Sequence, residues 1–116
     1  MAENTVLIKS KEFAIRIVKL YQHIAEVKKE YIIAKQLMKS GTSIGANVRE
    51  ANRAQSKKDF ASKMNIALKE AAESEYWLEL LHETDYLTDN EFSSIISDCI
   101  ELNKLLTSIV KTSNNK

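Results

Sequence analysis

The sequence has no proline, only two glycines and a single cysteine in 116 residues. Proline and glycine are the residues that break helices and shape tight turns, so their scarcity argues against a turn-rich β fold. One cysteine excludes an internal disulfide, and the run Ser97-Asp98-Cys99-Ile100-Glu101 offers no metal-ligand spacing, so Cys99 reads as a small core residue. With two histidines, His23 and His82, a nucleophile–base pair has no convincing members, and no enzymatic activity is expected. No uncharged apolar run is long enough to span a bilayer. The opening MAENTVLIKSKEF lacks the apolar stretch of a signal peptide. A cytoplasmic protein with no membrane association is expected.

What is present is a globular balance of 44% hydrophobic and 28% charged residues, enough for one domain with one core. Net charge is +1, yet its distribution is uneven. Up to Lys63 there are thirteen Lys/Arg against six Asp/Glu; from Met64 onward there are four against ten. A basic first half and an acidic second half call for a structural or functional reason.

Apolar spacing of three and four residues marks four helices. The first carries Phe13, Ile17, Leu20, Ile24 and Val27, with Ser10 as the expected N-cap. After the interruption EVKKEY a second runs from about Tyr31 to Arg53, with a face of Ala34, Leu37, Met38, Gly41, Ile44, Gly45 and Val48. Ser56 and Asp59 form an N-terminal cap signal for a third helix reaching about Thr84, roughly 40 Å long at 1.5 Å per residue. Its inner face is Phe60, Met64, Ala67, Leu68, Ala71 and Leu78. Thr88 and Glu91 make a capping box, with Leu87 and Phe92 as its hydrophobic staple. The last helix carries Phe92, Ile95, Cys99, Leu102, Leu106 and Ile109. The fold class is therefore all-α, an up-and-down antiparallel four-helix bundle. It is one domain over residues 1–116, with a short N-terminal segment 1–9 and a polar tail 112–116 expected to fray.

Both glycines fall on the packing face of the second helix. Each costs about 1 kcal/mol there relative to alanine. Close helix packing at Gly41 and Gly45, with Ala67 and Ala71 as the complement on the third helix, would offset that cost. SGTSIGAN lacks the Gly-Lys-Ser/Thr of a phosphate loop.

The third helix bears a second apolar surface, Ile66, Tyr76, Trp77 and Leu80, opposite its inner face. Such an outward stripe marks a partner surface, here self-association, with an added lid within the monomer as the alternative. Lys35, Lys39, Arg49, Arg53, Lys57 and Lys58 lie on or after the second helix, while Glu70, Glu73, Glu79 and Glu83 decorate the third. These complementary surfaces suit a head-to-tail ring; ordinary solvated faces or intrachain pairs are the alternative. The same six cations are the candidate nucleic-acid site, with Asn47, Asn52 and Gln55 able to hydrogen-bond bases or sugars. Glu75 and His82 fall on the inner face. A structural polar core of Glu75 and Asn47 is expected, with Arg16, Arg49 or Asn52 as the partner for the carboxylate. Glu79-x-x-His82 has the spacing of di-iron bundles, but the second such motif is missing, so no metal or other cofactor is expected.

The segment QLMKSGTSIGANVREANRAQSKKDFASKMNIALKEAAESEYWLELL, residues 36–81, resembles the four-helix family encoded in intervening sequences of bacterial 23S rRNA genes, also named S23 ribosomal protein. The resemblance rests on Gln36, Ser43, Ile44, Asn47, Glu50, Phe60, Ala67, Glu70, Glu73 and Glu75, and extends to Phe13, Leu20 and Tyr86-Leu87. Many relatives have Glu-Gly where this chain has Glu50-Ala51, which predicts a longer second helix here. The resemblance implies a homopentamer without enzymatic activity. It is similar more distantly to accessory proteins of diversity-generating retroelements, pentameric barrels that bind nucleic acid and a reverse transcriptase. The expected function is thus a non-enzymatic, ring-forming bundle that binds structured RNA or DNA through basic patches. An oligomeric protein–protein scaffold with no nucleic-acid binding is the alternative. No small-molecule substrate is expected.

Overall fold

Four helices follow one another along the chain: α1 (Ala2–Glu26), α2 (Ile32–Ala51), α3 (Lys57–Glu83) and α4 (Asp89–Asn114). They come from a computed structural model that describes residues 2–114, with side-chain surroundings from residue 4 onward. Each helix packs on its two neighbours in a closed square, with α1–α3 and α2–α4 as the diagonals, their backbones farther apart. Cross-links show the antiparallel sense: Lys63 to Glu50 between α3 and α2, and Lys9 to Glu101 and Arg16 to Asp98 between α1 and α4. The result is the up-and-down bundle that the periodicities predict, 46 Å long and 20 by 19 Å across. No described helix is long and apolar enough to cross a membrane.

One core runs the length of the bundle. Phe13, Ile17 and Ile24 of α1 meet Leu37, Ile44 and Val48 of α2, Met64 and Leu78 of α3, and Leu102 and Leu106 of α4. The expected stripe of α1 ends earlier than its spacing suggests: Leu20 is half-buried, and Val27 lies past the helix end and is exposed.

Helix starts are where sequence signals and structure agree best. Ser56 accepts a hydrogen bond from the Asp59 amide at 3.0 Å and opens α3. At α4 the box is reciprocal: the Glu91 amide donates to Thr88 Oγ1 at 3.1 Å and the Thr88 amide to Glu91 Oε1 at 2.8 Å. These bonds satisfy amides that the first helical turn leaves unpaired. The third cap has no counterpart among the expected signals. Glu30 folds over the start of α2, taking the amides of Ile32 and Ile33 on Oε2 and that of Ala34 on Oε1 at 2.8 Å. A negative carboxylate there also suits the positive end of the helix dipole.

Ser10 is not an N-cap. Helix α1 already begins at Ala2, Ser10 is fully buried, and its hydroxyl donates to the Leu7 carbonyl at 3.3 Å. Val6, Ser10, Phe13 and Ile17 form one face, and a small residue is what that face needs at this level. The N-terminal segment therefore continues α1 rather than preceding it. At the other end α4 keeps Thr112–Asn114 helical, and residues 115–116 lie outside the described part. Helix α2 stops at Ala51, two residues before the expected end at Arg53, and Asn52 and Arg53 form the turn.

The glycines explain why α1 and α2 lie so close. A methyl group at Gly41 would sit 2.9 Å from both Cγ atoms of Ile17, and one at Gly45 would sit 3.3 Å from the Ser10 carbonyl oxygen. The complement is thus α1, not Ala67 and Ala71 of α3. Those two alanines are fully buried on another side of the bundle core. There, α2 and α3 meet through Ser40 and Ser74, whose buried hydroxyls lie 2.9 Å apart. Left-handed backbone, where glycine would be cheapest, is instead occupied by Lys29 (φ 61°) and Asp85 (φ 69°) in two of the turns.

Gly41→Ala should lower stability by about 1–2 kcal/mol despite the better helix propensity of alanine, because the branched Ile17 cannot move away freely. The loss should shrink in an Ile17→Ala background in a denaturant-unfolding double-mutant cycle. Lys29→Gly should raise stability by up to about 1 kcal/mol by relieving its left-handed conformation. The capping box gives a pH signature. Hydrogen bonding to Thr88 holds the Glu91 carboxyl below the ordinary glutamate range, with the nearby His23 and Lys28 adding to the effect. Its contribution is complete above the unfolded-state value of about 4.3 and is lost as pH falls through the lower folded value. The stability gap between wild type and Glu91→Gln should therefore close on acidification below about pH 4, as thermal unfolding against pH would show.

Candidate functional site

The turn between α2 and α3 is short and polar, and backbone bonds hold its shape. The Arg53 amide donates to the Glu50 carbonyl and the Ala54 amide to the Ala51 carbonyl, both at 3.0 Å. Ser56 is then extended as the α3 cap. This geometry throws Asn52, Arg53, Gln55, Lys57 and Lys58 outward at the end of the bundle where α1 begins and α4 finishes. An open groove of about 1020 Å³ lies there. One wall comes from the turn and the start of α3, with Asn52, Gln55, Lys57, Lys58 and Phe60. The opposite wall is the last turns of α4, with Ser108, Thr112, Ser113 and Asn114, and Asn4 of α1 closes the end. Among the described residues the only charged side chains lining it are the two lysines; the others are amides, hydroxyls and apolar groups.

Six cations were singled out by sequence: Lys35, Lys39, Arg49, Arg53, Lys57 and Lys58. All are exposed, and among the described residues none of them lies within ion-pair distance of a carboxylate. Other cations do pair: Lys9 with Glu101 at 3.2 Å, Arg16 with Asp98 at 2.5 Å and Lys63 with Glu50 at 2.9 Å. The six do not form one patch. Arg49, Arg53, Lys57 and Lys58 gather at the α2–α3 turn, while Lys35 lies fourteen residues before Arg49, about 21 Å along α2. Antiparallel packing also gives the bundle polar ends. The α2–α3 turn is basic, and the opposite end sets Glu83, Asp85 and Asp89 near the α1–α2 turn with Lys28 and Lys29.

A second, smaller furrow of about 520 Å³ follows the α1–α4 seam between Arg16, Leu20, His23, Glu91 and Ser94. Lys19 also lines it and, among the described residues, has no ion-pair partner, but two other basic side chains are engaged. Arg16 holds Asp98 and the Ser94 hydroxyl at 2.8 Å, and His23 lies 3.8 Å from Glu91. These contacts tie α1 to α4 along the seam.

The expected polar core takes a different form. Glu75 is half-buried, and its partner is Asn103 of α4, whose amide donates to Oε1 at 3.1 Å. Arg16 belongs to Asp98, and Arg49 and Asn52 lie at the far end of the neighbouring face. Asn47 does not join Glu75. It is half-buried on α2 and donates to the Ser43 carbonyl at 2.8 Å within its own helix. His82 bonds Asp89 at 2.8 Å and stacks on Phe92 at 4.1 Å, tying α3 to the start of α4. Among the described residues no three His, Cys, Asp or Glu side chains gather as a metal site would require. Asn103 and the Ser40–Ser74 pair escaped sequence reading. Each is a polar residue at a core-facing position of its helix, which was the available signal.

On the outer side of α3, Ile66 and Tyr76 are exposed, and Trp77 and Leu80 are half-buried. The Trp77 indole N–H donates to Glu73 at 3.1 Å, and its ring meets Tyr76 edge-on at 5.0 Å. The tryptophan is thus held by neighbours on its own helix and packs partly against the core instead of standing free. Two aromatic rings and two aliphatic side chains remain at the surface of one helix.

Comparison with known proteins adds a relationship. Residues 2–108 match the model of the 23S rRNA-intervening sequence protein family. A crystal structure from Bacteroides thetaiotaomicron VPI-5482, of a protein with unknown function from the S23 ribosomal protein family, superposes with a TM-score of 0.93. It shares 57% identity, covering 96% of this chain and 99% of that one. No curated protein matches the sequence.

Cys99 is fully buried against the Ala71 carbonyl, and burial, with Glu75, Glu79 and Asp98 nearby, pushes its thiol up to about 12. Because the thiolate is the reactive form, labelling by a disulfide reagent at pH 8 should be at least about 1000-fold slower in the native protein than in denaturant. Rapid native labelling would contradict the packing of α3 on α4.

Proposed function

We propose that this chain, which belongs to the 23S rRNA-intervening sequence protein family, is a non-enzymatic protein that binds RNA or DNA at the basic α2–α3 end and assembles with copies of itself as a ring. The observation that carries the reading is the pairing state of the cations. Arg49, Arg53, Lys57 and Lys58 cluster at one end, exposed and, among the described residues, free of carboxylate partners, beside a groove whose described lining holds no acidic residue. Placing phosphates there costs no broken ion pair and gains from counterion release. Asn52 and Gln55 supply hydrogen bonds suited to bases or sugars, and Phe60 supplies an aromatic surface at the groove wall. Four cations make a weak site by themselves. A ring repeats that site, and repetition on one strand multiplies the avidity. The surface side chains Ile66, Tyr76, Trp77 and Leu80 support self-association, since contiguous apolar surface on a small domain marks a contact region.

The test is fluorescence anisotropy of a labelled structured RNA titrated at 50 and 200 mM salt. Binding should weaken steeply with salt. Lys57→Glu/Lys58→Glu and Arg53→Glu should each weaken it at least about tenfold at low salt and flatten the slope of log K against log salt by about one per phosphate contact removed. Lys35→Glu, 21 Å away along α2, should change it far less. Absence of binding at low salt would reject the nucleic-acid reading and leave an oligomeric protein–protein scaffold, with the basic end facing a partner protein.

A further inference from the structure

The groove at the basic end is charged on one wall only. Lys57 and Lys58 line it at the start of α3, while the facing wall offers the hydroxyls of Ser108, Thr112 and Ser113 and no described cation. Lys111 is exposed on the same turns of α4 but does not line the groove. Asp59, in the first turn of α3, is also outside the lining and accepts the Gln55 backbone amide at 3.4 Å. The side-chain amides of the groove differ from those elsewhere in the helices. Asn47, Asn65 and Asn103 each donate to the carbonyl four residues earlier, at 2.8, 2.9 and 3.2 Å. Asn4, Asn52, Gln55 and Asn114 line the groove, and among the described residues their side chains make no hydrogen bond to the protein. An amide carries both donors and an acceptor, so these four match a ligand that carries both. Phe60 stands in the same wall, half-buried and packed against the core, which holds it in place.

We infer that this groove takes the bases of an unpaired strand, with one phosphate backbone along Lys57 and Lys58 and the bases turned across toward Phe60 and the amides. This selection rests on the nucleic-acid reading above and specifies the form of nucleic acid. Phosphates account for the lysines but not for the rest of the lining, because the negative face of an aromatic ring and an amide carbonyl both repel an anion. A nucleobase requires that combination: a face to stack on, and partners for an edge that carries donors and acceptors. A duplex turns its bases onto one another and presents two rows of phosphates. Its second row would meet the hydroxyl wall, where no cation lines the groove. Size agrees. A volume of about 1020 Å³ is close to the upper end of clefts that enclose small organic groups, about 300–1,000 Å³, the scale of a base with its sugar rather than of a double helix. A folded RNA would therefore engage the groove through a loop or a free end, not through a stem.

The probes are a fluorescent RNA strand of about twelve nucleotides without self-complementarity, within the span that single-strand sites cover, and the same strand annealed to its complement. Anisotropy titrations of the full-length protein at low salt should show the single strand bound at least about fivefold more tightly. The denser charge of the duplex would win a purely electrostatic competition, so the order of affinities separates the two cases. Phe60→Leu, which keeps an apolar group against the core, should weaken single-strand binding at least about fivefold. Asn52→Ala/Gln55→Ala, in the exposed turn, should also weaken it, with circular dichroism verifying that each variant keeps its helices. Equal or tighter binding of the duplex, or a single-strand preference that survives both variants, would overturn the groove as a base site while phosphate binding at the basic end stands. If neither probe binds at low salt, the nucleic-acid reading and this selection are overturned together.

Discussion

At one crossing, α1 and α2 come closer than side chains ordinarily permit. Ile17 fills the space over Gly41, and the backbone at Ser10 runs against Gly45, so either position would crowd if it carried a methyl group. Few rotations of α2 about its axis satisfy that contact. The permitted one turns Leu37, Ile44 and Val48 into the core, aims Ser40 at Ser74 of α3, and leaves Lys35 and Lys39 in solvent. The chain spends both of its glycines here, although Lys29 and Asp85 sit in the left-handed backbone where glycine would relieve strain. That allocation ranks the close contact above comfortable turns.

The remaining seams are polar, and each polar group has a partner. Ser40 meets Ser74, Glu75 meets Asn103, and Arg16 spans to Asp98 and Ser94. No described buried side-chain nitrogen or oxygen lacks a hydrogen bond. Such pairs contribute modestly to stability, but a one-turn slip of any helix would strand them, and stranding costs more than pairing gains. Register is thereby held by polar contacts along a core that is otherwise tolerant of sliding. With register held, the short turns decide what each end of the molecule presents. The basic end combines the α2–α3 turn with the last turns of α4, and the opposite end combines the α1–α2 turn, with Lys28 and Lys29, with the α3–α4 turn, with Asp85 and Asp89. Because every helix runs the length of the rod, the basic and acidic halves of the sequence become largely its two sides, α1–α2 against α3–α4, while the α2–α3 turn gathers cations at one end.

Much of this was legible in the residue order. Caps at Ser56 and at Thr88 with Glu91 are local, because a side chain and an amide three residues apart meet in any helix start. Burial of Cys99, Leu102 and Leu106 follows from spacing alone. Other features misled for an equally physical reason. Ser10 resembles a cap because a serine before an apolar run looks the same whether it starts a helix or sits inside one; the neighbouring Gly45 makes it interior. Glu30 was overlooked because its bonds go forward to α2 across the turn rather than within a recognised box. Arg16 was a reasonable partner for Glu75 until the rotation of α1 directed it to Asp98.

The sequence by itself determined that there are four amphipathic helices, roughly where each begins, which residues of each are apolar enough to be buried, and the family to which the chain is related. These properties depend on neighbours within about four positions, so they survive without knowledge of the rest. Only the tertiary structure decided which helix each buried face meets. A period of 3.6 residues specifies a direction around one axis and says nothing about what stands in that direction. For that reason the glycines could be read as contact residues but not assigned to α1, and the cations could be counted but not divided into the group at the α2–α3 end and the two lysines farther along α2. The groove between that turn and the end of α4 joins residues more than fifty positions apart, and no local pattern encodes it.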